Sequence, residues 1–227
     1  MEINCGTRIY GLEMLKSNKS MDFNIGLINY GIGNIGSVYS AFRFYKYQIN
    51  FINSAEDMNN IDIIVLAGVG NFLSASARLK DMHFWDKLNE DVLIKKKPTL
   101  GICLGMHLFS TISYEGGENN GFDWISGKVV KIQDDKLRVP HMGWNQVACS
   151  DKGLIKSKEN PYFYFMHSYH FVPDDKEVII ATTNYGNVEI VSAVKKDNII
   201  GVQFHPEKSQ GDGLRFINRF VEASLAG

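Results

Sequence analysis

The sequence predicts an α/β fold: a mostly parallel central sheet flanked by helices, with an additional antiparallel β extension in the C-terminal half. Three observations carry this expectation. Short apolar runs alternate with segments of helical period between residues 23 and 113, the rhythm of βαβ units in a parallel sheet. Glycines gather where those runs end, at Gly31-Ile32-Gly33, Gly68-Val69-Gly70 and Gly101-Ile102-Cys103-Leu104-Gly105. Beyond residue 125 the texture changes to short strands separated by polar turns.

In order, residues 23–30 read as a buried strand leading into the turn 31–34. Ile35, Val38, Phe42 and Tyr45 then recur at helical spacing and predict an amphipathic helix. Residues 48–53 and 61–67 are the next strands. A helix is expected over 84–96, stopped by Pro98, followed by a strand at 99–103 and a helix at 104–113. The later strands are 127–132, 146–149, 162–172, 178–183, 188–194 and 199–204. A last helix over about 211–223 carries Leu214, Ile217, Phe220 and Val221 on one face. No repeat or flexible linker divides the chain. Residues 23–227 are therefore expected to form one domain, with 1–22 an N-terminal extension of unassigned role.

The 227 residues are 44% hydrophobic and 22% charged, ordinary values for a globular protein. A domain of this length buries about 70% of its unfolded surface and needs no metal or disulfide staple. Lys and Arg number 24 against 25 Asp and Glu, a formal charge of -1. Nucleic acid and anionic membranes demand a concentrated cationic field, so neither is expected as the main partner. The three cysteines, Cys5, Cys103 and Cys149, form no CxxC pair. That is a poor disulfide framework and a poor zinc site, so the expectation is a cytoplasmic protein with no metal and no cofactor. No apolar run approaches the roughly 20 residues of a membrane span, and residues 1–22 lack the apolar centre of a secretory signal.

The segment Gly101-Ile102-Cys103-Leu104-Gly105 is the most informative. A strand enters, a helix leaves, and cysteine stands between two glycines as G-x-C-x-G, the cysteine counterpart of a nucleophile elbow. The turn strains the central residue, and the helix aims its N-terminal N–H groups at the sulfur, favouring thiolate. A lone cysteine at a strand end is more often a small core residue. A nucleophile also needs a base and an orienting group, and His205-Pro206-Glu207 offers both. Two residues apart on an extended segment, Glu207 can flank His205, fix its tautomer and leave one nitrogen free for the thiol proton.

These residues closely resemble the class I (triad) glutamine amidotransferase family. The resemblance runs over residues 23–225 and rests on the elbow, on Gly201-Val202-Gln203-Phe204-His205-Pro206-Glu207 and on the loop Gly68-Val69-Gly70. Pro140-His141-Met142-Gly143-Trp144-Asn145, Met166-His167-Ser168-Tyr169 and Glu207-Lys208-Ser209-Gln210 point to one branch, whose members pass ammonia to a (β/α)8-barrel cyclase of histidine biosynthesis. The resemblance implies glutamine hydrolysis by Cys103, His205 and Glu207. The Leu104 and Val69 N–H groups would form the oxyanion hole, Val69 after a peptide flip. Gly70, His107, Glu115, Ser168 and Tyr169 would bind glutamine, with Glu115 on the α-ammonium. Pro140, His141, Met142, Gly143, Trp144, Asn145 and Lys208 would dock the cyclase in a heterodimer.

The sequence departs from the family pattern at His107, commonly a substrate-binding glutamine, at Ala67 and Asn71, commonly proline and alanine, and at Gly36, often a larger residue. An imidazole at 107 reaches differently and can titrate. Three alternatives stand beside the cyclase reading. A paralogue could feed another amidating enzyme, such as one modifying a surface-polysaccharide sugar. A stand-alone γ-glutamyl cysteine hydrolase shares the elbow and histidine. A non-catalytic subunit could retain the fold.

Overall fold

The computed structural model describes residues 23–150, 154–155 and 161–226; the expected extension at 1–22 lies outside them. The first half alternates as its apolar pattern predicts. Strands β1 (Ile25–Ile28), β2 (Ile49–Ile52), β3 (Ile63–Gly68) and β4 (Thr99–Cys103) are joined by helical crossovers. Helix α1 (Ile35–Phe44) buries Val38, Ala41 and Phe42. Helix α2 (Phe72–Asp81) is an addition to the expected elements. It buries Phe72, Ala75, Ser76 and Leu79, a helical spacing whose two small members left no apolar stripe to read. Helix α3 (Phe84–Asn89) continues into a π-helical turn, Glu90–Ile94.

The helix expected over 104–113 is only α4 (Leu104–His107). The carbonyls that would extend it are taken by a returning loop, Leu108 accepting from Phe122 N–H and Ser110 from Asp123 N–H. The chain then runs through β5 (Ile112–Ser113), β6 (Asn119–Asn120) and β7 (Gly127–Lys131). Residues 140–149 hold two strands where one was expected, β8 (His141–Gln146) and β9 (Ala148–Cys149). The run at 162–172 is also two, β10 (Tyr162–His167) and β11 (Tyr169–Pro173), parted at Ser168 because they pair with β8 and β7 respectively. Strands β12 (Ile179–Tyr185), β13 (Val188–Lys196) and β14 (Ile199–Val202) and helix α5 (Gln210–Ala226) complete the order.

The main sheet runs β2-β1-β3-β4-β14-β13-β12-β9. It is parallel from β2 to β14 and antiparallel from there to β9, so the predicted mostly parallel sheet with an antiparallel C-terminal part is observed. Alternate residues feed two cores. Ile63, Val65 and Ala67 face one with Phe42, Phe216 and Phe220, while Ile64 and Leu66 face the other with Phe72, Phe84 and Leu104. Both faces are covered, which is why these strands are continuous apolar runs. The nucleophile candidate ends a strand in the middle of this sheet, where ligands of open α/β sheets gather.

The opposite end of β4 is anchored by charge. Asp91 is fully buried in the π-turn and meets Lys87 at 3.1 Å and Lys95 and Lys97 at 2.8 Å each. The Lys97 carbonyl accepts from Thr99 Oγ1 and Asn198 Nδ2, tying the cluster to the start of the strand. Burial pulls the Asp91 carboxyl's pKa up, but the three lysines outweigh it and hold it below the ordinary carboxylate value. Because that pKa is depressed on folding, its stabilisation is present at neutral pH and disappears as acid protonates it. Asp91→Ala is expected to cost about 2 kcal/mol, less than a fully sequestered pair because the freed lysines can reach water. The corresponding fall in the midpoint of thermal unfolding is roughly 4–8 °C.

Candidate active site

Cys103 adopts φ 53 and ψ −107, outside the regions open to an ordinary L-residue. The surrounding chain enforces this. A Cβ on Gly105 would strike the Leu66 carbonyl of β3, and one on Gly101 would strike the Phe109 ring. With both positions bare, β4 and α4 close down on β3, and the sulfur is turned out at the strand end beside the first N–H groups of α4. That helix has a single turn, so its dipole is slight.

His205 faces the sulfur from the neighbouring strand's exit. β14 ends at Val202 and residues 206–208 form a 3₁₀ turn. The pairing with Glu207 is therefore made across a turn, not along the extended segment that the spacing suggested. Pro206 at the first position of that turn sets its φ. His205 N–H donates to the Tyr164 carbonyl at 2.8 Å, and the Ser209 hydroxyl donates to the His205 carbonyl at 2.6 Å. Phe204 is clamped by stacking on Phe163. The imidazole Nδ1 lies 2.8 Å from Glu207 Oε1, with both side chains almost fully buried.

Among the described residues His205 Nε2 has no hydrogen-bond partner. Burial disfavours the charged imidazole, yet the facing Cys103 sulfur and the Glu207 carboxylate overcome it and push its pKa up to about 10. The arrangement is an imidazole that faces a sulfur, with its other nitrogen held by a carboxylate.

The loop after β3 closes over this pair. Gly33 approaches so closely that a Cβ there would lie 2.8 Å from the Val69 nitrogen. A crevice of about 10 Å³, room for one water, lies between Asn34, Val69, His205 and Glu207. It is a seam between loop and side chains, far too small for an amino acid. The Tyr30 hydroxyl presses against Gly68, is buried and has no hydrogen-bond partner among the described residues. Burial first, then the Cys103 charge, raises its pKa strongly.

Two residues that sequence reasoning left without a role also belong here. Gln203, completely buried, sets its Nε2 3.7 Å from Cys103 Sγ and its Oε1 2.7 Å from His107 Nε2. His107 is itself buried, and its pKa falls to about 4, chiefly through burial, so it is neutral at physiological pH. The titration anticipated for an imidazole at 107 thus lies well into acid. His167 is the second. Its Nδ1 donates to the Tyr169 carbonyl at 2.8 Å, so its Nε2 must accept from His141 Nδ1 at 2.9 Å. Gln203 was visible only as a letter within a motif, and its partner is 96 residues away in sequence.

Glu115 Oε2 accepts from Phe72 N–H at 3.1 Å, at the N-terminus of α2 just beyond Gly70. Burial raises its pKa and that hydrogen bond partly offsets the rise. Tyr169 packs on the core that holds Leu104 and Met106, while the Ser168 carbonyl accepts from Ile132 N–H. Thus Leu104 and His107 belong to the elbow's own helix and Val69 and Gly70 follow the strand beside it, while Glu115 meets the start of α2 beyond that loop. Residues 141–145 lie on β8, paired with the strand whose Tyr164 carbonyl holds the His205 N–H. There Met142 (59% exposed) and Trp144 (47%) join Tyr162 (52%) of β10 in an exposed apolar row. Lys208 Nζ sits 5.8 Å from the Tyr164 ring, which meets Trp144 edge-on. His141 departs from the expected docking set: it is buried, stacked between Phe165 and Tyr185. It stiffens β8 from behind instead of facing outward. Among the described residues no group of three or more His, Cys, Asp or Glu is arranged to hold a metal.

Burial lowers His107 and His141 to about 4, His167 well below its usual value, and His170 in the same direction. These rings are neutral when folded but take up protons near pH 6.5 when unfolded. Their stabilisation is present above pH 6.5 and drains away towards pH 4. His205 moves the opposite way and adds no loss in this window. Thermal unfolding followed across that range should show a marked fall in midpoint on acidification, already under way at pH 5.5.

Comparison with known proteins places this geometry. A family model described as glutamine amidotransferase class-I matches residues 26–223. The chain is 43% identical over 207 residues to the imidazole glycerol phosphate synthase subunit HisH of Pelagibacter ubique, spanning 87% of this chain and 99% of that one. It is 43% identical over 201 residues to subunit HisH 2 of Methanococcus maripaludis, spanning 87% and 98%. Among solved structures, one described as a glutamine amidotransferase superposes with a TM-score of 0.70 at 15% identity, over 88% of this chain and 98% of that one. PurLQS from Thermotoga maritima gives 0.67 at 13% identity, over 90% and 100%; at such identities these two speak for the fold alone. The matched stretch holds the elbow, the loop that closes on it and the turn carrying His205, and the chain belongs to the class I glutamine amidotransferase family.

Proposed function

We propose that this chain is the glutaminase subunit of an imidazole glycerol phosphate synthase, releasing ammonia from glutamine for a (β/α)8-barrel cyclase of histidine biosynthesis. The observation that carries the chemistry is an elbow cysteine facing an imidazole whose far nitrogen is bonded to Glu207. The observation that carries the acceptor is the 43% identity to subunits of that synthase along nearly their whole length.

Cys103 Sγ attacks the γ-carbonyl carbon of glutamine, forming a C–S bond and placing charge on the carbonyl oxygen. The Leu104 and Val69 N–H groups receive that charge, each donor being worth about 3 kcal/mol in the transition state. For Val69 the loop has to turn its peptide, and the flanking Gly68 and Gly70 remove the steric obstacle. His205, carrying the proton it took from the Cys103 thiol, gives it to the departing nitrogen, the C–N bond breaks and ammonia leaves. Water, deprotonated by the now neutral His205, then cleaves the thioester to glutamate and restores the thiol. Glu207 holds the imidazole in register throughout. Glu115 has its second oxygen for the substrate α-ammonium, while backbone at Ser168 and Tyr169 holds the α-carboxylate end.

The row Met142, Trp144, Tyr162 with Lys208 is the docking face for the cyclase. Large aromatic side chains there offer rigid area at small entropic cost. A second reading keeps the chemistry and changes the acceptor to another amidating enzyme, which makes the chain a paralogue.

Glutamine turnover measured with and without the cyclase of the same organism and its nucleotide substrate tests the proposal. Stimulation of at least tenfold is expected, abolished by Cys103→Ala. No stimulation by the cyclase moves the assignment to the paralogue. Trp144→Ala should weaken the complex by roughly 2 kcal/mol, about 30-fold in Kd, as read by titration calorimetry.

A further inference from the structure

We propose that Gln203 is a further catalytic residue of this site, donating a carboxamide N–H to the nucleophilic sulfur, and that His107 is the positioning residue that keeps the amide turned that way. The inference deepens the reading of Cys103 as the nucleophile and rests on it.

Three buried side chains form one line. Gln203 is 0% exposed, His107 4% and Cys103 5%. Gln203 Nε2 stands 3.7 Å from Cys103 Sγ, and Oε1 stands 2.7 Å from His107 Nε2. The sheet register creates the first contact. Val202 of β14 is paired with Ile102 of β4, so the residues that follow, Gln203 and Cys103, emerge side by side at the C-terminal ends of these two middle strands. Gln203 N–H is tied to the Ser192 carbonyl, which fixes the root of the side chain.

An amide in this position has two orientations. With its oxygen on the sulfur side, lone pairs would face lone pairs, and the penalty would grow as the sulfur became anionic. With its N–H₂ on the sulfur side, the oxygen meets His107, whose Nε2 must carry the proton. That ring is neutral and buried, so it offers one donor at a fixed place and no competing charge. The amide then favours thiolate over thiol from one flank while His205 does so from the other. Groups that sense the sulfur's charge are Tyr30 and His205. Glu207 stands behind His205, and His107, itself sensing His170, stands behind Gln203.

This also accounts for the departure at position 107. A side chain expected to reach for substrate has its Nε2 committed to Gln203 instead, so His107 acts on the nucleophile through that residue.

The experiment is alkylation of the full-length chain by iodoacetamide, which carries no amino-acid portion, followed as a function of pH with the modified cysteine identified by peptide mass spectrometry. Gln203→Met and His107→Leu are each expected to slow Cys103 alkylation at pH 7 by about tenfold, one hydrogen bond to an ionised group, and to move its pH midpoint upward. His107→Gln, which keeps a donor for the Gln203 carbonyl, is expected to recover at least half of the loss seen in His107→Leu. Thermal unfolding confirms that each variant is folded, and His107→Leu carries the test should Gln203→Met fail to fold. Wild-type rates and midpoints in both variants overturn the proposal. So does a rise in KM for glutamine in His107→Leu with alkylation unchanged, the mark of direct substrate contact. A wild-type Cys103 that resists alkylation at every pH, also with the cyclase and its nucleotide substrate added, would instead overturn the nucleophile reading itself.

Discussion

The backbone at Cys103 is held where an L-residue resists going, and the site depends on that constraint. A conformation with φ 53 and ψ −107 costs on the order of 1–3 kcal/mol and persists only where neighbouring structure over-determines it. Here the neighbours are β3 and α4, brought together because Gly105 sits against the Leu66 carbonyl with no room for even a methyl group. The sheet's middle strands and the Asp91 cluster at the far end of β4 supply the rigidity that holds the turn. Relaxing the elbow would turn the sulfur away from His205 and Gln203 together.

Around that turn, histidine is used in two opposite ways. His205 is given a carboxylate and a sulfur and has its pKa raised. His107, His141, His167 and His170 are buried without a carboxylate in the hydrogen bonds described, and all shift downward. Groups of one chemical type driven apart by environment are a signature of assigned acid–base roles. His107, His141 and His167 serve as hydrogen-bond spacers. His141 and His167 carry such a chain from β8 to the Tyr169 carbonyl, and His107 does the same for Gln203.

The exposed face and the buried site share a strand. Tyr164 presents its ring to Trp144 and Lys208 on the outside, while its carbonyl accepts the backbone N–H of His205 on the inside. Ser209, one residue past Lys208, donates to the His205 carbonyl and receives the Tyr164 N–H on its hydroxyl. Anything pressing on this apolar row therefore acts one peptide away from the imidazole.

Local patterning made much of this legible. Apolar runs and glycine turns determined the order of strands in the first half, and G-x-C-x-G with His205 and Glu207 marked the site, because the elbow's steric demand is written in adjacent residues. Helix α2 was hidden since Ala75 and Ser76 are small, and α4 stopped early because Leu108 and Ser110 lose their carbonyls to residues 122 and 123, which no local pattern announces. The split of residues 162–172 at Ser168, the turn beneath the His205–Glu207 pair and the inward face of His141 were likewise settled by pairing partners distant in sequence. By itself the sequence determined which residues are chemically able to act, since nucleophile, base and carboxylate are matters of side-chain type. Only the tertiary structure decided which of them meet and in what protonation state, because distance, burial and the placing of Gln203 beside Cys103 arise from strands whose register is set by the packed sheet.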